Sequence, residues 1–317
     1  MKQSILVTGG VIVLFAALLS CNVNYSKTPS GLVYKIIPGK GTEKLKPGQI
    51  IKFDIAYTLS PKDSLINSTF GKIPGYSKID TGFRSVYSFM EIIPKCSVGD
   101  SVEFVLSIDS LKNKKMIQDY NNMFKRGEQI NGKLKILKAF NNENDVMADF
   151  QKEQELEKER EIKSVEDYLA KNNIKAQKTK GGAFVLVENP GDTAVKLDSN
   201  KVAYVKYKGY LQSNGKVFVT NFDTSKGHTD PIKVGPGEQP VMNAWNEGLP
   251  YFAKGGKGKI FVPAMLGYGG QPAGEIPAYS NLIFDVEIVD IKAAEPRQNS
   301  PYNLRQFPNM RKAPPGK

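Results

Sequence analysis

The chain has 317 residues, which is enough for two domains of ordinary size. Its formal net charge is +12, but the basic residues are scattered and form no arginine-rich run beside aromatic residues, so we expect no nucleic-acid partner. One histidine, His228, and two cysteines, Cys21 and Cys96, are too few for the usual tetrahedral metal site, so we expect no metal and no cofactor.

The N-terminal segment has the pattern of an exported protein. Lys2 precedes an apolar run over residues 5–19, which is typical of a signal peptide. The sequence Leu-Leu-Ser-Cys that ends at Cys21 resembles the lipobox of bacterial lipoproteins, whose cysteine thiol carries a diacylglyceryl group. This resemblance implies a signal peptide over residues 1–20, a tether over residues 21–30 and a lipid anchor in the bacterial cell envelope, at the outer membrane and facing the periplasm. The alternatives are an ordinary cleavage site and a buried free cysteine.

The two halves of the chain contain an internal repeat. The sequence GLVYKIIPG at residues 31–39 leads to a predicted strand that ends at Tyr57. The sequence GAFVLVENPG at residues 182–191 leads, over a similar interval, to a predicted strand that ends at Tyr207. Repeated spacing of this kind predicts two related modules, over residues 31–140 and 179–293.

The segment between the modules is rich in Glu, Lys, Gln and Leu, which predicts a helix. Asn144 is the candidate N-cap, and Glu159 with Lys163 would form an i,i+4 ion pair. Residues 151–161 are almost wholly charged, which indicates a solvated helix that is docked at its ends; a coiled-coil dimer would need longer, unbroken heptads. The segments predicted outside the modules are a helical linker, residues 141–178, and a disordered tail, residues 294–317.

Five motifs of the second module keep the order found in one family of small domains. Residues 207–211 have the form Tyr-x-Gly-x-Leu, and the hairpin signal Asn214-Gly215 follows, with Phe218 after it. The other motifs are VMNAWNEG at residues 241–248, Gly-Tyr-Gly at 267–269 after Pro263, Ile-Pro at 276–277, and the alternating strand at 282–288. In this order the motifs resemble the FKBP-type peptidyl-prolyl cis-trans isomerase family.

The resemblance implies an α+β fold in which a curved antiparallel β-sheet wraps around one short helix, with the two modules joined by the long helix. In the family, the groove between sheet and helix receives a proline. Carried over by position, Trp245 would be the pocket floor and the Tyr268 hydroxyl would donate to the substrate carbonyl. The implied catalytic residues are Tyr207, Phe218, Trp245 and Tyr268, and the implied substrate-binding residues are Ile232, Val241, Met242, Ile276 and Phe284. The alternative is that these side chains are simply the core of a small β-rich domain.

One position departs from the family pattern in a way that affects the site. The family's hairpin has an aspartate after the phenylalanine, and its carboxylate touches the pocket. Here Val219 follows Phe218, and we favour this register, with Val219 binding substrate, because the interval from the turn glycine sets the strand phase. The rival register would bring Asp223 to the pocket and would need four extra residues or a bulge. With Glu275 also standing where an apolar residue is usual, the departures predict weakened or altered catalysis on an intact fold.

The first module departs further from the family. Phe89 stands at the tryptophan position, judged by its distance from Pro94. The Tyr-Gly motif does not follow, since residues 112–116 occupy that region, and Ile-Pro does not precede the last strand. We therefore predict a degenerate module without isomerase activity.

Prolyl isomerisation makes and breaks no covalent bond, so a chain without a catalytic triad or metal cluster is suited to it. The sequence predicts a lipid-anchored isomerase whose partners are the membrane and proline-containing unfolded or nascent envelope polypeptides. The alternative is a non-catalytic chaperone or envelope assembly module that has kept the fold.

Overall fold

The computed structural model describes residues 25–80 and 87–294 of the chain. The chain divides into two compact units, Met1–Glu153 and Gln154–Lys317. Each unit combines an antiparallel sheet with short helices, so the predicted α+β class is confirmed. The predicted signal peptide, Cys21 with its lipid, the first part of the tether and the tail from residue 295 lie outside the described residues.

The first unit is built on one antiparallel sheet. Its strands are β1 (Ser26–Lys27), β2 (Val33–Ile37), β3 (Ile50–Ser60), β4 (Ser64–Ser68), β5 (Gly75–Lys78), β6 (Ser101–Ser107) and β7 (Gln129–Phe140). They pair in the order β1-β2-β6-β7-β3-β4, and β5 also pairs with β3. Two 3-10 turns, Phe89–Glu91 and Ile93–Lys95, and helix α1 (Ile108–Asn113) complete the unit. Ile51, Phe53 and Ile55 of β3 are buried, as the two-residue period of a strand with one core face requires.

Helix α2 (Glu143–Lys171) contains the boundary between the two units. The predicted cap Asn144 lies inside the helix; the Asn142 Oδ1 instead accepts from the Asp145 N–H at 2.9 Å. Lys163 pairs with Asp167, rather than with Glu159 as predicted. None of the helices among the described residues is long and apolar enough to cross a membrane.

The charged middle of α2 is less solvated than its composition predicts. Glu157 and Glu161 are buried, with 0% and 4% of their surface exposed. Arg160 forms an ion pair with Glu157, and the Glu161 Oε2 accepts from the Met265 N–H at 2.6 Å. A buried carboxylate needs such partners because burial alone disfavours its charged form. The prediction of a solvated segment was therefore wrong at these two positions.

The second unit repeats the sheet of the first. Its strands are β8 (Gln177–Lys178), β9 (Phe184–Asn189), β10 (Asp192–Lys196), β11 (Lys201–Leu211), β12 (Val217–Thr220), β13 (Ile232–Val234), β14 (Ala253–Lys254), β15 (Lys257–Val262) and β16 (Leu282–Ala293). The main sheet has the order β8-β9-β15-β16-β11-β12 with β13 on β11, which matches the first unit strand for strand, and β10 pairs with β14. Helix α3 (Asn243–Gly248) and the 3-10 turns Thr224–Lys226, Leu249–Tyr251 and Ala264–Leu266 lie in its loops. Trp245 and Leu249 pack into the core formed by the sheet.

The strand register corrects the equivalence between the two halves. The two pairs of long strands, β3 with β7 and β11 with β16, each contain one bulge. After the bulge the ladder resumes with Phe53 opposite Ile136 in the first pair and with Val205 opposite Ile288 in the second. Counted from that bulge, Tyr57 corresponds to Gly209, and Ile55 corresponds to Tyr207. Equating Tyr57 with Tyr207 is therefore wrong by two residues, because the two strands do not end at these tyrosines but run on to Ser60 and Leu211.

The outward face of the second sheet carries one carboxylate with three donors. Asp285 accepts from Lys259 at 2.6 Å and from the Tyr210 hydroxyl at 3.0 Å, and Lys208 pairs with it at 2.9 Å. Burial alone would raise the pKa of Asp285, but the hydrogen bonds from Lys259 and Lys208 outweigh it and lower the pKa below its ordinary value. The carboxylate therefore contributes stability above the pKa of the unfolded chain, near 3.9, and loses it as pH falls through the folded-state pKa.

We expect Asp285→Asn to lower the free energy of unfolding by about 1.5 kcal/mol at pH 7, the contribution of hydrogen bonds to a charged group. The difference from the wild type should begin to shrink as pH falls below about 4, where the carboxylate of the unfolded chain takes up a proton, and should vanish below the lowered folded-state pKa. Urea unfolding followed by Trp245 fluorescence at pH 7 and pH 3 measures both values. Asp290→Asn on the same strand, which removes a more exposed pair with Lys254, is the control and should change little. An Asp285→Asn effect equal at both pH values would contradict the assignment.

Candidate active site

A pocket of about 420 Å³ opens on the second unit between the sheet and α3. Four strands, helix α3, the loop before α3 and the loop after the 3-10 turn Ala264–Leu266 supply its walls. The described residues that line it are Tyr207, Val219, Ile232, Pro240, Val241, Met242, Trp245, Gly267, Tyr268 and Phe284. Seven of the nine residues predicted from the resemblance are thus brought together, from positions up to 77 residues apart in sequence.

Trp245 is buried beside two other rings of the pocket wall, with 3% of its surface exposed. The Tyr207 ring stands edge-on to it at 5.0 Å and 85°, and the Phe284 ring does so at 5.2 Å and 84°. Perpendicular contacts of this kind are the favoured arrangement for aromatic pairs. The indole is therefore held from two sides, in the position expected for a flat apolar floor.

Two phenols face the same pocket. Tyr268 lies in the loop after the 3-10 turn Ala264–Leu266 and is 45% exposed. Backbone hydrogen bonds brace its loop, from the Gly269 N–H to the Ala264 carbonyl at 2.8 Å and from the Tyr279 N–H to the Gly269 carbonyl at 2.9 Å. Burial, with a smaller effect of Tyr268, raises the pKa of Tyr207 above its ordinary value. The Tyr207 hydroxyl therefore remains protonated at neutral pH and can donate a hydrogen bond.

The structure contradicts the rival register of the hairpin. Val219 pairs with Gly209 and lines the pocket. Asp223 lies further along the chain, where its Oδ1 accepts from the Ser225 N–H at 2.9 Å and caps a 3-10 turn. Asp223 is exposed and does not belong to the pocket lining among the described residues. Its assignment as a substrate-binding residue was therefore wrong, and an apolar side chain stands where the family has a carboxylate.

Two further predicted residues, Phe218 and Ile276, are not part of the pocket lining. Phe218 sits at the bulge of β12, and its ring stands edge-on to the Phe284 ring at 5.9 Å and 88°. Ile276 is 5% exposed and packs in the core, and its backbone pairs with Ala273. Neither residue is part of the pocket lining, although Phe218 contacts the lining residue Phe284. The catalytic role of Phe218 and the binding role of Ile276 stay predictions.

Glu275, the other departure from the family pattern, is bound at the surface. It pairs with Lys216 of the hairpin and with Lys226 of the 3-10 turn, at 3.2 Å each. These two exposed lysines lower the pKa of Glu275. The charged residue therefore joins three surface loops and is directed away from the core that holds its neighbour Ile276.

Asn221 is a residue of the site region that sequence reasoning missed. It is buried, and its Oδ1 accepts from the Tyr207 N–H at 2.6 Å. Its Nδ2 donates to the carbonyls of Val205 at 3.2 Å and Asp230 at 2.9 Å. These bonds fasten the loop after β12 to the strand that carries Tyr207. The only signal in the sequence is a polar side chain directly after an apolar strand.

The first unit has different residues at the corresponding positions. Ile55, Gly75 and Gly132 occupy the ladder positions of Tyr207, Ile232 and Phe284. A Cβ added to Gly132 would lie 2.1 Å from the Phe104 ring, so that ring covers the glycine. The Phe104 ring also stacks on Phe89 at 6.0 Å. Phe89, which stands in the place of Trp245, is therefore packed against core rings of the first unit.

Comparison with known proteins agrees with this geometry. The sequence model of the FKBP-type peptidyl-prolyl cis-trans isomerase family matches residues 193–289. An FK506-binding protein of Neisseria meningitidis is 37% identical over 114 residues, which are 35% of this chain and 97% of that protein. Since the match covers nearly the whole of that relative, the chain belongs to the FKBP-type peptidyl-prolyl cis-trans isomerase family.

Longer relatives are matched only in part. The isomerase FkpA of Buchnera aphidicola is 39% identical over 115 residues, 36% of this chain and 43% of that protein. The chain therefore spans less than half the length of this relative. The crystal structure of FkpA from Escherichia coli is 28% identical over 48% of this chain and 69% of that chain, with a TM-score of 0.36.

Proposed function

We propose that the protein is a peptidyl-prolyl cis-trans isomerase and that the pocket of the second unit is its active site. The observation that carries this proposal is the apolar pocket with Trp245 beneath it and the hydroxyls of Tyr207 and Tyr268 at its walls. A concave, mostly apolar pocket with a few placed polar groups is the usual form of a small-ligand site. Its apolar lining is suited to a proline ring.

The proposed mechanism needs no proton transfer. The barrier of about 18–20 kcal/mol to rotation about a peptide bond comes from amide resonance, which is lost when the bond twists. The twisted amide is less dipolar than the planar one, so an apolar lining such as Val219, Ile232 and Phe284 favours it relative to water. The Tyr268 hydroxyl would donate to the carbonyl before the proline, and contacts that are strongest with the twisted form lower the barrier.

The proposal is tested with the full chain in a proline-limited refolding assay and in a peptide isomerisation assay. We expect a rate above the uncatalysed one, and inhibition by FK506, the ligand in the name of the Neisseria relative. A folded protein, verified by circular dichroism and Trp245 fluorescence, that gives only the uncatalysed rate would refute the enzyme assignment.

The Val219→Asp variant tests whether a carboxylate at this position would increase the rate of isomerisation. Val219 lines the pocket where the family has an aspartate, so we expect the new carboxylate to raise kcat/KM by about threefold to tenfold, the effect of one added polar contact. Asp223→Ala is the control, because Asp223 caps a surface turn, and it should leave the rate unchanged. A fall in activity with Asp223→Ala would restore the rival register.

A non-catalytic binding protein is the second candidate. It is favoured by Val219 in the pocket and by the core rings that cover Phe89 in the first unit. This alternative predicts suppression of client aggregation that survives pocket substitutions. An isomerase that also uses the pocket for clients would lose both properties in the same variants.

The cellular setting is a further part of the proposal. The apolar run at residues 5–19 and the lipobox-like residues before Cys21 support a lipid-anchored protein of the bacterial envelope, at the outer membrane and facing the periplasm. Its partners would then be the membrane and proline-containing unfolded or nascent envelope polypeptides. Replacement of Cys21 by serine should move the protein from the membrane to the soluble fraction. Retention at the membrane would contradict lipidation of Cys21.

A further inference from the structure

Helix α3 carries Trp245, and its own local interactions do little to stabilise it. It has six residues, Asn243–Gly248, which is too short for a helix to be stable in isolation. Its N-cap residue, Met242, makes no side-chain capping hydrogen bond among the described residues. Contacts with the rest of the unit must therefore decide how the helix is rotated, and with it the direction of the indole.

Glu247 supplies such a contact on the other side of the helix from Trp245. Two residues along a helix are separated by about 200° around its axis. The Glu247 Oε2 accepts from the Thr179 hydroxyl and from the Gly181 N–H, at 2.6 Å each. Thr179 is buried, and its Oγ1 also accepts from the Ala183 N–H at 3.1 Å, so the carboxylate is tied to a braced turn. A Cβ added to Gly181 would lie 2.2 Å from the carboxylate, which shows how closely the turn approaches.

The same device occurs in the first unit, at corresponding positions. Glu91 stands two residues after Phe89, as Glu247 stands two residues after Trp245. It accepts from the Ser30 hydroxyl at 2.5 Å and from the Ser30 N–H at 3.3 Å. Thr28 braces this turn in the way that Thr179 braces the other, because its Oγ1 accepts from the Leu32 N–H at 3.1 Å. The clamp is therefore a built feature of both units.

We propose that Glu247 is a positioning residue for the active site: by holding the turn at Thr179 and Gly181 it fixes the rotation of α3 and keeps the Trp245 ring in the pocket floor. Its consequence for catalysis rests on the proposed isomerase function. The residue after Glu247 lies close to the sheet, since a Cβ added to Gly248 would lie 2.9 Å from Ile260 of β15.

The test uses the full chain, in which Trp245 is the only tryptophan and reports the floor directly. We expect Glu247→Ala to shift the tryptophan emission to longer wavelength, to increase its quenching by acrylamide, and to lower kcat/KM about tenfold or more, as misplacement of a positioned group does. Glu247→Gln keeps an oxygen acceptor and should recover most of the emission and the rate. Thr179→Val removes one bond without removing the carboxylate and should give a smaller change in the same direction if Glu247→Ala does not fold.

Glu91→Ala is the matched control, since it breaks the same clamp in the unit without a tryptophan. It should lower the stability of the first unit and leave both the emission and the isomerase rate unchanged. The proposal is overturned if folded Glu247→Ala keeps the wild-type emission and rate, or if Glu91→Ala changes them equally. An inactive wild type would refute the isomerase function alone, because the emission still decides whether Glu247 positions the ring.

Discussion

Trp245→Leu should lower kcat/KM of the isomerase at least tenfold while the second unit stays folded. The indole is enclosed by the perpendicular rings of Tyr207 and Phe284 and forms the base of the pocket. Leucine keeps an apolar side chain but removes most of the flat contact surface, and losing about 1.5–3 kcal/mol of apolar contact with the twisted substrate corresponds to a factor of ten to a hundred or more. Isomerisation of a proline peptide, with circular dichroism as the check of folding, measures the effect.

Tyr268→Phe isolates the hydroxyl in the same experiment. Loss of one hydrogen bond to the substrate carbonyl should reduce kcat/KM about threefold to tenfold. Tyr251→Phe, which removes a hydroxyl from a partly exposed tyrosine in the 3-10 turn after α3, is the matched control and should have no effect. If Trp245→Leu and Tyr268→Phe both retained full activity, the catalytic site could not be this pocket.

Phe104→Ala should destabilise the first unit by about 3–5 kcal/mol, the usual loss for a large aromatic truncated in a core. Its ring is 1% exposed, covers Gly132, stacks on Phe89 and meets the Tyr57 ring edge-on at 5.9 Å. The isomerase rate should nevertheless remain, because the proposed pocket is formed by residues of the second unit.

Urea unfolding with two probes separates these outcomes. Far-ultraviolet circular dichroism reports both units, whereas Trp245 fluorescence reports the second. Phe104→Ala should shift an early part of the dichroism transition and leave the fluorescence transition in place. Phe261→Ala, an equally buried phenylalanine of the second unit, should shift the fluorescence transition instead. Loss of isomerase activity in folded Phe104→Ala would show that the first unit takes part in catalysis.

Much of the candidate site followed from local patterns. Trp245, Tyr207 and Phe284 line one pocket, and each belongs to a motif whose neighbours are near in sequence. The Val219 register was favoured for the same reason, since the turn at Asn214 and Gly215 sets the phase of the next strand. Phe218 and Ile276 were predicted with the same motifs but do not line the pocket, because an apolar residue beside a pocket and one within it have the same sequence signal.

Burial of charged residues could not be anticipated. Glu157 and Glu161 stand in a segment that is charged by composition, yet both are buried, and Glu161 bonds to the backbone of Met265, 104 residues further on. Glu247 is likewise a candidate positioning residue only because it accepts hydrogen bonds from Thr179 and Gly181, which lie 68 and 66 residues before it. Contacts over such distances depend on which loops the fold brings together.

The sequence by itself determined the class of fold, the duplication, the family of the second unit and most of its pocket, because strand alternation, turn residues and motif order are local properties. Only the tertiary structure decided which residues of the two halves correspond. The equivalence rests on cross-strand register, with Phe53 opposite Ile136 and Val205 opposite Ile288, and an interval along the chain contains no information about which residues face each other across a sheet. The tertiary structure also showed why the first unit has a different packing at the position of Phe284. Gly132 stands there, and the space beside a glycine can either stay open or be filled by a neighbouring side chain, in this case the Phe104 ring.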